Sequence, residues 1–281
     1  MKTSILSALF CRYSLDRTFE AVSRIGYDGL DIHGARPHAY PYDMDAARVR
    51  EVLALKKRFG LELPMYTPEI LAYPYNIPSA DRIEREETLR YLEKAIEVCA
   101  AMEIPLMQIT CGHAGHHTKR AENFRNIYAV MTPLVKKAEA CGVTLILEAL
   151  TIMESNTVVF VDDLVEVLDY FDSPHLKAMM DTVTPIVHRE AFADHFEKLG
   201  DRLAYMHFVD SNGQDQSHLP LKTGVIDLPA LIDTTRHYGY DGWFCIEIIG
   251  KYIHEPETHA ARELRALKSL LVERRVNPSA V

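Results

Sequence analysis

Short apolar runs alternate with longer amphipathic stretches eight times along this chain. Runs of four to eight residues rich in Ile, Leu, Val, Met and Phe have the length and side chains of buried strands, while apolar residues spaced three and four apart mark one face of a helix. The pattern predicts strands over residues 5–10, 30–33, 61–67, 106–110, 143–148, 176–181, 203–209 and 243–249. Helices are predicted over 15–24, 45–59, 82–102, 121–140, 158–171, 185–199, 226–238 and 256–273. Asp45 is placed to cap the second helix, and Gly142 to stop the fourth. The turn Gly26-Tyr-Asp-Gly29 recurs word for word as Gly239-Tyr-Asp-Gly242, each time leading from a helix into a strand. Residues 34–43 and 68–76 read as loops rich in proline and aromatics, and residues 277–281 as a mobile tail.

Eight strand-plus-helix units give either a (β/α)8 TIM barrel or a large doubly wound α/β sheet. Eight is the barrel's number, and no GxGxxG follows any strand, which disfavours the dinucleotide-binding alternative. A barrel uses about 250 residues as one domain, so residues 1–281 are expected to form a single domain.

Composition narrows the partners. At 48% hydrophobic the chain can bury a sizeable core, and its net charge of −9 argues against nucleic acid or an anionic membrane surface. A neutral or cationic small molecule suits it better. No apolar stretch reaches the roughly 18 residues of a membrane helix. Cys11, Cys99, Cys111, Cys141 and Cys245 are scattered without a CxxC pair, the usage of free thiols in a reducing cytosol, so a cytoplasmic protein is expected.

The candidate chemistry lies at four strand ends. Leu145-Ile-Leu-Glu148, Ala178-Met-Met-Asp181, Met206-His207 and Phe244-Cys-Ile-Glu247 each close an apolar run with one metal-capable side chain. In a TIM barrel the active site is built at the C-terminal strand ends, and these four fall on consecutive strands, five to eight. Three carboxylates crowded together repel one another and are costly to desolvate; a divalent cation removes that penalty. Glu148, Asp181, His207 and Glu247 are therefore the expected ligands of one divalent metal. Mostly hard oxygen donors with a single imidazole suit Mn²⁺, Co²⁺ or Mg²⁺ better than a structural zinc, with Ni²⁺ or Zn²⁺ as alternatives.

The residues Leu147-Glu148-Ala-Leu-Thr151, Glu154-Ser-Asn156, Met180-Asp181, His207-Phe-Val-Asp210-Ser211, His218-Leu-Pro220 and Ile246-Glu247 resemble the xylose-isomerase-like barrel superfamily of sugar isomerases and epimerases. Within it, Gly34-Ala-Arg-Pro-His-Ala39 and Tyr66-Thr-Pro-Glu69 followed by Tyr73-Pro-Tyr-Asn76 are similar to the fructoselysine 3-epimerase and ketose 3-epimerase group. The resemblance runs over nearly the whole chain. It implies metal-dependent epimerisation at C3 of a 2-ketose: the cation, chelated by O2 and O3, stabilises the enediolate formed on deprotonation, and inversion needs one base on each face of C3. Glu148 and Glu247 are then the catalytic bases as well as ligands, and Asp181 and His207 ligands only. Glu154 resembles the position that bonds substrate hydroxyls. His218 is expected to contact the substrate or to orient a metal ligand from behind. His113 and Glu69, beyond strands four and three, are expected to face the same site. A homo-oligomer is also implied.

Two departures shape the substrate expectation. Ketohexose 3-epimerases carry an arginine six residues after the ligand histidine and a histidine three after the aspartate; here those places hold Gly213 and Thr184. A substituted ketose is thus expected over a free hexulose. Lys222 also stands in a loop where the family has a different pattern, and is expected to alter loop geometry or charge near the substrate. Free-ketose epimerisation and aldose–ketose isomerisation on the same site are the alternatives. An endonuclease IV-like nuclease would need more histidines and a basic face, and a non-catalytic sugar-binding protein would have no need of the Glu148–Glu247 pair.

Overall fold

A computed structural model describes residues 1–71 and 73–273. Eight parallel strands close in sequence order: β1 (Lys2–Leu6), β2 (Gly29–Gly34), β3 (Met65–Pro68), β4 (Leu106–Thr110), β5 (Thr144–Glu148), β6 (Leu176–Asp181), β7 (Leu203–His207) and β8 (Trp243–Ile246), with β1 paired to both β2 and β8. Around them run α1 (Leu15–Ile25), α2 (Ala46–Phe59), α3 (Arg82–Ala101), α4 (Arg120–Cys141), α5 (Val161–Phe171), α6 (Val183–His188), α7 (Phe192–Leu199), α8 (Leu228–His237) and α9 (Pro256–Glu273). This is the expected (β/α)8 barrel. The tail at residues 277–281 lies outside the described residues.

Local chemistry explains the junctions. Asp45 accepts from Ala47 N and Arg48 N at 2.9 Å, capping α2 as expected. Gly26 and Gly239, the first residues of the repeated turn, sit at φ +98° and +69°. That left-handed conformation is nearly free for glycine and costs other residues, so the repeated word is one device used twice to leave a helix and enter a strand.

Several boundaries differ from expectation: β3 starts at Met65 rather than at residue 61, β7 ends at His207 rather than at 209, α5 starts at Val161 rather than at 158, and three further differences have a visible cause. β1 ends at Leu6, and Ser7–Phe10 wind into a 3-10 turn. A buried apolar run carries no period that separates strand from helix, and here Ser7 Oγ accepts from His33 N at 2.8 Å, anchoring the turn to β2. The helix expected over 185–199 is two, because Arg189 adopts φ +60° and breaks the ladder between α6 and α7. β8 stops at Ile246, so Glu247 stands one residue beyond it.

The barrel interior holds its own apolar cluster of Leu6, Met65, Ile146, Met179, Tyr205 and Cys245, separate from the larger core between strands and helices. Side chains two apart on a strand share a face. Ile146, Met179, Tyr205 and Cys245 therefore project inward, and so do the residues two positions later: Glu148, Asp181, His207 and Glu247. The apolar plug is the floor on which the four polar side chains stand.

Candidate active site

The register pairs Asp181 with His207, Glu148 with Met179, and His207 with Cys245, so each strand end steps by at most two residues from its neighbour's. One ligand atom from each of Glu148, Asp181, His207 and Glu247 can be chosen so that all lie within 4.8 Å of one another. His207 is fully buried. Its Nδ1 lies 2.6 Å from Glu247 Oε2 and 3.2 Å from Glu148 Oε1, yet neither ring nitrogen has a hydrogen-bond partner of acceptable geometry among the described residues. A buried imidazole nitrogen that close to two carboxylate oxygens, without an aligned hydrogen bond, fits a cation shared between them. The donor set therefore fits a divalent metal.

The charges are strongly coupled. Burial pushes Glu148 up to about 7, with Glu247 and Asp181 adding to the rise and His207 opposing it. Burial also works against ionisation of Glu247 and Asp181, but both end below the usual carboxylate range, Glu247 chiefly through His207 and Asp181 chiefly through His218. His218 Nε2 lies 2.6 Å from Asp181 Oδ2 and 3.6 Å from Glu247 Oε2. Although burial lowers it, Asp181 raises His218 to about 10. This places His218 against the Asp181 carboxylate, on the wall of the same cavity.

That cavity, of about 220 Å³, opens above the cluster and is also lined by His33, Glu69, Gln108, Glu154 and Thr184. Glu154 Oε2 accepts from Thr151 Oγ1 at 2.8 Å and Thr151 N at 3.2 Å, which aims a half-buried carboxylate at the site. Glu69 reaches the rim, where its hydrogen bond to His33, 2.7 Å between Oε2 and Nε2, holds it below the usual carboxylate range.

His113 does not join them. It lines a separate surface pocket with His116 and accepts from Gly115 N at 3.0 Å, so the expectation that it faces the site is corrected. β4 offers Gln108 and Thr110 to the cavity, and the chain has turned away by position 113. Tyr73 and Tyr75 are also not cavity walls: Tyr73 is 90% exposed, and Tyr75 stacks on Tyr91 with ring centroids 3.7 Å apart. Lys222 points away from the site, its Nζ on Ser269 Oγ of α9 at 2.8 Å.

His33, on the cavity wall, escaped the sequence reading, and so did Gln108 and Asp31. Gln108 donates Nε2 to Glu148 Oε2 at 2.5 Å. Asp31, fully buried, accepts from Tyr205 Oη at 2.7 and 2.8 Å and groups with His207 and Cys245. Burial pushes Asp31 up to about 6 against the pull of Tyr205. The signal available for both was a polar residue interrupting an apolar strand run, in Leu30-Asp-Ile32 and Met107-Gln-Ile109.

The loop carrying His218 is fixed by Asp210. Its Oδ1 accepts from Ser211 N and Ile226 N, and its Oδ2 from Thr223 N and Gly224 N. A Cβ on Gly224 would come within 2.2 Å of Ser211 O and 2.3 Å of Asp210 Oδ1, so only glycine fits. Glu263 of α9 ties down the same loop by accepting from Leu221 N at 2.7 Å. Burial pushes Glu263 up to about 7; the Leu221 amide and Arg262 pull it down, and Asp210 pushes it up. The folded state thus keeps a proton that the unfolded chain has lost above about pH 4.3. Stability from this group is full below that pH and falls as pH rises through 7. Glu263→Gln is expected to shrink the stability loss between pH 5 and pH 8, read by denaturant melts, by about 1–3 kcal/mol; an unchanged loss would refute the assignment.

Comparison with known proteins agrees with this geometry. A family model, Xylose isomerase-like TIM barrel, matches residues 19–270. A fructoselysine 3-epimerase from Shigella flexneri is 33% identical over 273 residues, covering 97% of this chain and 99% of that protein. The crystal structure of a D-tagatose 3-epimerase-like protein superposes with TM-score 0.84 at 21% identity, covering 98% of this chain and 100% of that one. A D-allulose 3-epimerase from Methylomonas sp., solved in complex with D-allulose, gives TM-score 0.82 at 20% identity over 96% of each chain. Those two likenesses are of fold, whereas the family match and the full-length relative go further: the chain belongs to the xylose isomerase-like TIM barrel family and stands with its sugar epimerases.

Proposed function

We propose that this enzyme is a metal-dependent 3-epimerase of a substituted 2-ketose of the fructoselysine type. The observation that carries the reading is the pair Glu148 and Glu247, two carboxylates from β5 and from just beyond β8 that meet at one imidazole nitrogen on the cavity floor. Glu148, Asp181, His207 and Glu247 would hold the cation. When bound, it supplies a Lewis acid for the negative charge that develops on the ketose oxygens.

The protein's own part is proton traffic and orientation. One glutamate removes the C3 proton, which is weakly acidic beside the C2 carbonyl, to leave an enediolate; the other returns a proton to the opposite face. Which one acts first depends on the direction of reaction. Gln108, bonded to Glu148, limits the rotamers of that carboxylate, and His218 does the same for Asp181. Glu154 is placed to bond a substrate hydroxyl, and Glu69 reaches the cavity rim.

The substituted substrate is supported by the two departures. Thr184 on the cavity wall is shorter than the histidine of the ketohexose pattern, and its Oγ1 is turned to Ala149 O at 3.2 Å. Gly213 sits at φ +71°, where an arginine would be strained, and lines neither the metal cavity nor the cavity beside it. A reducing, cytoplasmic setting fits the five free cysteines. Among the described residues no helix is long and apolar enough to cross a membrane.

The test is NMR of fructoselysine in D₂O with the metal-loaded enzyme. Deuterium entering at C3 together with the C3 epimer is the expected result. Label at C1 would identify an aldose–ketose isomerase instead, and no exchange on any ketose with metal bound would end the reading.

A further inference from the structure

The cavity above the cluster does not close at its rim. A second cavity, of about 510 Å³, adjoins it and shares Glu154, Gln216, His218 and Ile249 as a common neck. At about 220 Å³ the first space is smaller than the roughly 300 Å³ lower bound of pockets for drug-sized ligands. The pair together passes that bound, so the site has room for far more than a free sugar.

The chemistry of the second wall is mixed in a specific way. Asp215 has its Oδ1 fixed by Asn212 Nδ2 at 2.9 Å and Ser217 N at 2.8 Å, and the Ser217 side chain, with these bonds, holds the carboxylate below its usual range, in the charged form. Lys251 lies with its ammonium 5.4 Å from the Tyr252 ring centroid and forms no ion pair among the described residues. At the neck itself stands Ile249, 43% exposed and lining both cavities. A large aliphatic side chain held open at a cavity junction is suited to cover an apolar stem. A half-buried carboxylate held in its charged form and an ammonium without an ion pair among the described residues, both lining the second cavity, suit a ligand end that carries both charges.

Building on the epimerase reading, we propose that the second cavity is the subsite for an α-amino-acid substituent on the ketose. Asp215 takes its α-ammonium, Lys251 its carboxylate, and Ile249 covers the methylene chain that joins it to the sugar.

The test uses the full-length, metal-loaded enzyme and three ketoses: fructoselysine, its butylamino analogue (the same stem without the amino-acid end) and fructose. Wild type is expected to show kcat/KM for fructoselysine at least tenfold above the butylamino analogue, which in turn exceeds fructose. Asp215→Asn and Lys251→Met are each expected to lower the ratio of kcat/KM for fructoselysine to that for the analogue by about tenfold, mainly through KM. Nα-acetylfructoselysine should lose the contribution of Asp215 but keep that of Lys251. The subsite is overturned if wild type treats the three ketoses alike, or if the variants lower turnover of fructoselysine and the analogue in parallel. Absence of C3 exchange on all three overturns the epimerase reading itself, and the subsite with it.

Discussion

Glu148→Gln and Glu247→Gln are each expected to lower kcat for epimerisation by about 10³–10⁴-fold, the upper part of the range for loss of a positioned acid–base group. Glutamine keeps the shape and one oxygen donor but cannot accept the C3 proton. The two variants should not fail in the same way. With one base gone, the remaining carboxylate can still remove and return a proton on its own face. Each variant should therefore exchange C3–H for deuterium without inversion in one epimer and be silent toward the other, and the two should have opposite preferences. Single-turnover NMR in D₂O on both epimers reads this directly. Loss of exchange toward both epimers in both variants would mean that the two glutamates do not divide the faces of C3 between them, and near-normal inversion in either would remove it from the chemistry.

Stripping the metal is expected to abolish turnover and to lower Tm by about 5–15 °C. The size follows from linkage: a cation present at 100 to 1,000 times its dissociation constant stabilises by about 2.7–4.1 kcal/mol, and a chain of this size shifts by about 2–4 °C per kcal/mol. The physical source is the crowding of Glu148, Asp181 and Glu247 around one imidazole, where each charge lacks the solvation it would have in water. Calorimetry with a chelator, then with Mn²⁺, Co²⁺ or Mg²⁺ restored, measures it. A melting curve indifferent to chelator and to every added cation would show that the cluster is balanced by its histidines alone, through the short His207–Glu247 and His218–Asp181 contacts.

What the residue order determined by itself was the architecture and the level of the site. Strand identity is a local matter of period and side-chain type, and a polar side chain two residues after an inward apolar one must share its face. Ile146 with Glu148 and Tyr205 with His207 carry that rule in plain view, as do the cap at Asp45 and the repeated glycine turn. The tertiary structure decided everything that depends on where a chain goes after its strand ends. His113 left the site because three loop residues can turn anywhere, whereas His218, eleven residues past His207, was brought back to Asp181 by the backbone bridge of Asp210 to Leu219 and the amides gathered on Asp210. Asp31 and Gln108 became site neighbours because a barrel closes strands that are far apart in sequence onto one axis. The second cavity is likewise a tertiary product: the loop after β7, the turn before α9 and Glu154 from the loop after β5 line it together, a meeting that no periodicity in the sequence records.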